Sequence, residues 1–193
     1  MNDCDRFIEY ISRITPPDEL SENIYKGKGL SEIRRNNLKT YLNDMLRHRP
    51  DTILIGEAPG YHGCGKTGIA FTDEHSINSL EFFKDGYAAE GNEREMSAGT
   101  VWSVLTDYPH IPFMWNIYPF QPQNNRTPNR KETELGKEIL AELFKLFDFK
   151  HVYCIGKTSF NNLTKSYPDA RYIRHPAHGG ITLCKSQLTE LLK

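Results

Sequence analysis

TILIGEAPGYHGCGKTGIAFT, residues 52–72, opens with a run that is β-branched at Thr52, Ile53 and Ile55 and closes on Gly56. A short apolar run bounded by glycine reads as a strand buried on both faces. A glycine-rich loop follows, and within it Gly60–Thr67 matches G-x-x-x-x-G-K-[ST], the pattern of a phosphate-binding loop. The fold and the chemistry both turn on whether that match is real. A working phosphate loop leads its strand into the first glycine and starts a helix at Gly-Lys-Thr. Here Glu57-Ala58-Pro59 intervenes and sets a carboxylate where phosphates would lie, while Gly68 after Thr67 is a poor start for a helix. No later strand ends in an aspartate suited to magnesium, since HVYCI (151–155) runs into Gly156. The match reads as coincidental.

Outward from this stretch the pattern repeats. FMWNIY (113–118), HVYCI (151–155) and ARYI (170–173) read as further buried strands. Helical periodicity falls near 97–107, 132–147, 158–166 and 185–192. Ahead of the first strand, a helix over 4–14 stops at Pro16-Pro17. A second over 31–47 carries Ile33, Leu38, Leu42, Met45 and Leu46, with Ser31 as N-cap and Pro50 beyond its end. Alternating strands and helices predict a three-layer α/β/α fold around a four-stranded parallel sheet. A single domain over 1–193 is expected, with 1–50 as an N-terminal helical part. Ligands of such sheets bind beyond the carboxyl ends of the strands, which selects the loops 56–72, 116–131 and 174–181.

Composition narrows the function. No apolar run approaches the roughly 18 residues of a membrane helix, and the N-terminus lacks a signal-peptide core. Cys4, Cys64, Cys154 and Cys184 lie far apart without a C-x-x-C pair, which argues against a zinc ribbon or iron–sulfur cluster and fits reduced thiols in a cytoplasmic protein. The net charge of −1 hides an asymmetry: residues 1–120 carry 12 basic against 18 acidic side chains, and residues 121–193 carry 12 against 7. The basic half either faces a polyanion or is solvated surface.

Read whole, Gly56-Glu57-Ala58-Pro59-Gly60 followed by Thr67-Gly68-Ile69-Ala70-Phe71 resembles the first motif of the uracil-DNA glycosylase superfamily. The GEAPG segment is similar to the family often called family 4, and its spacing to TGIAF is closer to the single-strand-selective monofunctional uracil glycosylases. Trp115-Asn116-Ile117-Tyr118-Pro119 resembles the uracil-reading asparagine motif, and His175-Pro176-Ala177 the His-Pro-Ser motif. The resemblance spans roughly residues 50–180 and implies the same three-layer α/β fold.

It also implies roles. A glycosylase extrudes a base, holds it in a pocket and cuts its N-glycosidic bond. Phe71 would stack on the flipped base, or else is a core phenylalanine. Asn116 offers both a donor and an acceptor, so it can match uracil O4 and N3–H. Cytosine inverts both and would leave buried polar groups unpaired, at about 1–3 kcal/mol each. Asn116 could instead cap a turn. His175 would donate to uracil O2 as charge develops there, or lie on the surface. Glu57 would orient water and stabilise the sugar cation, or brace loop amides. Gly56, Ala58, Gly60 and Tyr61 complete the substrate loop, whose backbone N–H groups could add donors. Arg126, Arg130, Lys131 and Arg174 would contact DNA, with Lys157 and Arg171 near the same mouth.

The sequence departs from its relatives at several points. Ala58 replaces an Asp or Asn that positions water in several of them, which shifts that burden to Glu57. The cysteines for the cluster usual in family 4 are missing, so no cofactor or metal is expected. Gly60 stands where some relatives carry a tyrosine that excludes the thymine methyl. His178-Gly179-Gly180 replaces a longer DNA-penetrating segment, leaving His178 and Ile181 as candidates to fill the vacated stack. The reading is a monomeric, metal-free glycosylase for uracil, or for another deaminated base such as hypoxanthine or xanthine. A nucleic-acid-binding relative without activity is the alternative, and a triphosphate enzyme the third.

Overall fold

The computed structural model describes residues 2–193. Four strands, β2 (Thr52–Gly56), β3 (Phe113–Asn116), β5 (His151–Ile155) and β6 (Arg171–Ile173), form a parallel sheet in the order β3-β2-β5-β6. In β2 and β5 all but the first residue is buried, and all of β3 is, as expected of strands covered on both faces. The register sets Gly56 beside Asn116, so the two ends meet at one edge. The connection from β2 to β3 runs one way along the sheet, and those from β3 to β5 and β5 to β6 run the other. Right-handed crossovers then place α5 (Met96–Leu105) on one face and α6 (Arg130–Phe144) and α7 (Lys157–Leu163) on the opposite face. Helix α8 (Ile181–Leu191) packs on α5, and α1 (Asp3–Arg13) on α6 and on α2 (Leu30–His48). The three-layer α/β/α arrangement follows. Its switch point lies between β2 and β5, where a crevice is expected.

Boundaries differ from periodicity by small amounts. The expected strand over 113–118 stops at Asn116, because Ile117 and Tyr118 leave the ladder to bond the carbonyls of Gly56 and Glu57 at 2.9 and 3.1 Å. The last helix begins at Ile181, four residues before the expected 185. Elements too short to show a period were not legible: the antiparallel pair β1 (Ser21–Glu22) with β4 (Gln121–Pro122), α3 (Cys64–Thr67) and α4 (Glu74–Ser79). No helix among the described residues is long and apolar enough to cross a membrane.

Candidate active site

The site begins at Gly56. A Cβ there would lie 2.6 Å from Asn116 Oδ1 and 2.6 Å from Phe71 Cζ, so only glycine lets the amide and the ring converge on the end of β2. Asn116 is 5% and Phe71 7% exposed. Phe71 has φ +52°, which is costly for a bulky side chain, about 1–3 kcal/mol. The surrounding loop enforces it. The Thr67 hydroxyl donates to the Thr72 carbonyl at 2.7 Å and accepts the Ile69 N–H at 3.2 Å. Tyr25 donates its hydroxyl to the Gly68 carbonyl at 2.9 Å, Asn37 its amide to that of Thr67 at 2.9 Å, and Arg34 a guanidinium N–H to that of Gly65. Helix α2 and the segment before it thus hold residues 65–72 by their carbonyls.

The same geometry disposes of the phosphate loop. Helix α3 has four residues and ends at Gly68 with φ +78°. Thr67 is buried with its hydroxyl engaged, and Lys66 pairs with Glu93 at 3.6 Å. The space beside Gly60 and Gly63 holds the protein's own Glu95 carboxyl, with which a Cβ on either glycine would collide. A carboxylate stands where a phosphate would need to be.

His175 follows β6. The Ala177 N–H donates to its Nδ1 at 3.1 Å, so the neutral ring carries its proton on Nε2. Burial pulls its pKa below the ordinary 6.5, and the Glu57 carboxylate offsets only part of that fall. The ring is therefore a neutral imidazole at neutral pH, and no partner among the described residues takes its Nε2 proton. Arg174 shapes this loop by donating to the carbonyls of His175, Ala177 and His178 at 3.1, 3.2 and 3.3 Å.

Glu57, Ala58, Gly60, Phe71, Asn116 and His175 line a single cleft of about 890 Å³ at the carboxyl edge of the sheet. Arg126, Lys157, Arg174 and His178 reach its rim. Other expected residues lie elsewhere. Tyr61 turns away, its hydroxyl accepting the Asn124 N–H at 2.8 Å, and borders a separate depression with Leu20 and Gln123. Arg130 and Lys131 are exposed in the first turn of α6, Ile181 opens α8 at 38% exposure, and none of the three lines the cleft. Arg171 is also outside it, at the start of β6. Arg126 lines the cleft with its charge already compensated, bonded to both oxygens of Glu132 at 2.7 and 2.8 Å and 3.4 Å from Asp18. Burial pushes the Glu132 carboxyl up, but the bonds from Arg126 and Ser21 outweigh it and hold the pKa below its ordinary value. Among the described residues no group of three or more His, Cys, Asp or Glu is placed to hold a metal ion.

Residues with no sequence signal also line the cleft, notably Cys64, Glu95 and Ser97. Glu95 lies between α4 and α5 in a segment without periodicity, and only the folded chain brings it to the glycine loop. Thr158, three residues past the end of β5, could have been found from the strand-end rule alone.

Fold and site define an α/β protein with a ligand cleft at the switch point of a parallel sheet, floored by an aromatic ring and a buried amide. The family model described as the uracil DNA glycosylase superfamily matches residues 43–189, and the chain belongs to that superfamily. Its structure is similar to the crystal structure of wild-type Pedobacter heparinus SMUG2, with a TM-score of 0.71 at 14% identity, covering 99% of this chain and 97% of that one. No curated protein matches.

Proposed function

We propose that the protein is a DNA glycosylase that hydrolyses the N-glycosidic bond of uracil, or of another deaminated base, in DNA. The observation that carries this reading is the convergence of Phe71 and Asn116 over Gly56 in one cleft with Glu57 and His175. A flipped uracil stacks on Phe71, and the Asn116 amide pairs with O4 and N3–H. As the bond between C1′ and N1 breaks, its electron pair passes to the base, and the His175 Nε2–H donates to O2 where that charge collects. A neutral imidazole suits this role, because it stabilises the anion without having to surrender a proton. Glu57 stands on the sugar side. Its carboxylate favours the cationic sugar and accepts the proton of the water that attacks C1′. Ala58 offers no polar side chain to that water, so Glu57 acts alone there. Lys157 and Arg174 supply rim charge for the phosphates. The buried free thiols of Cys4, Cys64, Cys154 and Cys184 support a reducing, cytoplasmic setting, and we infer a monomer that calls on no cofactor.

The test is direct. The protein is incubated with oligonucleotides carrying a single uracil, hypoxanthine or xanthine, and abasic sites are then cleaved with alkali. Strand breaks at one of these bases are expected. Tight binding of the same oligonucleotides with no break at any base would replace this reading with that of an inactive nucleic-acid-binding relative, which the missing side chain at Ala58 would then explain.

A further inference from the structure

Asn116 leaves a question open. It reads O4 and N3–H, and thymine presents both just as uracil does. The two bases differ by one methyl group at C5, beside O4. A glycosylase that cuts uracil in DNA needs a second group at that edge.

Glu95 lines the same cleft as Asn116, against the glycine loop. Its N–H donates to Asp73 Oδ2 at 2.7 Å, and Asp73, 2% exposed, also caps α4 through Ser76, so the backbone of residue 95 is held firmly. Its two carboxyl oxygens lie one against Gly60 and one against Gly63, in space that a Cβ at either position would need. Cys64, Glu95, Ser97 and Asn116 all line the cleft; burial raises the pKa of the Cys64 thiol and the Glu95 charge adds to it. The base-reading amide, Cys64 and Glu95 thus share the lining of one cleft. Burial raises the pKa of Glu95, Ser97 opposes this in part, and Asp73 adds to it. The mechanism above uses none of these groups.

We propose that Glu95 is a specificity-determining residue: its carboxyl closes the cleft on the wall beyond Asn116 and turns away pyrimidines that carry a substituent at C5, next to the carbonyl Asn116 reads. The inference rests on the glycosylase reading. Two effects act together. The carboxyl fills the volume a 5-methyl group needs, and pressing a methyl against it would strip a buried polar group of solvent without giving it a partner. One methyl or methylene in a pocket is worth about 10–200-fold in discrimination.

The test compares single-turnover excision of uracil, thymine and 5-bromouracil from otherwise identical oligonucleotides by the wild type, Glu95→Gln and Glu95→Ala. Wild type and Glu95→Gln, which has the same volume, should both favour uracil. Glu95→Ala should raise the rates on thymine and 5-bromouracil relative to uracil by about tenfold or more, with uracil itself changed little. Glu95→Asp, whose carboxyl is drawn back by one methylene, should move in the same direction and serves if Glu95→Ala does not fold. A cooperatively melting Glu95→Ala or Glu95→Asp that cuts uracil with an unchanged base ratio overturns the inference and leaves the glycosylase reading standing. A wild type that excises none of the bases overturns both.

Discussion

On the proposed mechanism Glu57 and His175 act at opposite ends of the breaking bond, and each predicts a separable defect. Replacing His175 with Ala removes one donor aimed at charge that develops only in the transition state, a loss of about 10²–10³ in rate. Glu57→Gln keeps size and removes the charge that favours the sugar cation. Both variants should bind uracil-containing DNA nearly normally while single-turnover excision collapses. A destabilised but fully active Glu57→Gln would show that the carboxylate only braces the loop. Asn116→Asp replaces the donor to O4 with an acceptor, so uracil excision should fall by orders of magnitude; an unchanged rate would remove Asn116 from the site. His175 also predicts a pH dependence of stability. Its folded pKa lies below 6.5, so the unfolded chain binds more protons in that range. The stability this depression represents is fully present above pH 6.5 and is lost as pH falls through the lower folded value. Protonation of Nδ1 would also oppose two donors, the ring and the Ala177 N–H. The melting temperature of the wild type relative to His175→Gln should therefore drop as the buffer passes from pH 7 to pH 5; a constant difference would contradict the assignment.

At the scale of elements, the loop 56–72 is less a free loop than an extension of α2. Asn37, fully buried, donates to the carbonyls of Thr67 and Ala88 at 2.9 and 2.8 Å and accepts the Ala88 N–H at 2.8 Å. Asn37→Leu would leave those groups without partners, at about 1–3 kcal/mol for each. Denaturant unfolding should show that loss, and excision should suffer too, because the carbonyl of Thr67 belongs to the segment that forces Phe71 into its left-handed conformation. A variant of wild-type stability would mean that water replaces the amide. Helix α6 is set against the end of β3 in a similar way. A Cβ on Gly136 would collide with the Ile117 carbonyl, one residue beyond Asn116. Gly136→Ala should cost about 1–3 kcal/mol or more and should also displace Asn116, so lowered stability and slowed excision should appear together.

Across the whole molecule the charge is nearly balanced, at −1, so on the proposed function DNA binding would depend on a few cations at the rim. Arg126 is not one of these, because Glu132 and Asp18 compensate it. Lys157 opens α7 at the cleft and pairs with no carboxylate among the described residues. Lys157→Ala should weaken binding uniformly across sequences and reduce the slope of log affinity against log salt by about one. The same substitution at Arg126 should instead lower stability by exposing the buried Glu132 carboxylate to desolvation without its partner. Lys66, paired with Glu93 on a four-residue helix, should be indifferent to nucleotide. ATP with magnesium should leave the melting temperature of the wild type unchanged; a clear rise, lost in Lys66→Ala, would restore the phosphate-loop reading.

The sequence by itself determined the strands, the order of the motifs and the family. Buried parallel strands must be nearly continuous apolar runs, and TILI and HVYCI carry that constraint in four or five residues each. That Glu57, Asn116 and His175 share one cleft was legible for a related reason: each ends a strand or lies within two residues of its end, and parallel pairing brings all strand ends to one edge. What only the tertiary structure decided depends on contacts between segments that share no local pattern. Glu95 reaches Gly60 and Gly63 from a stretch without periodicity, Tyr61 turns outward to meet Asn124, and Arg126 is claimed by Glu132 and Asp18, the latter more than a hundred residues away. Helical and strand periods record which face of an element is buried. They do not record which charge a loop will place beside which glycine, because that depends on closing the chain in three dimensions.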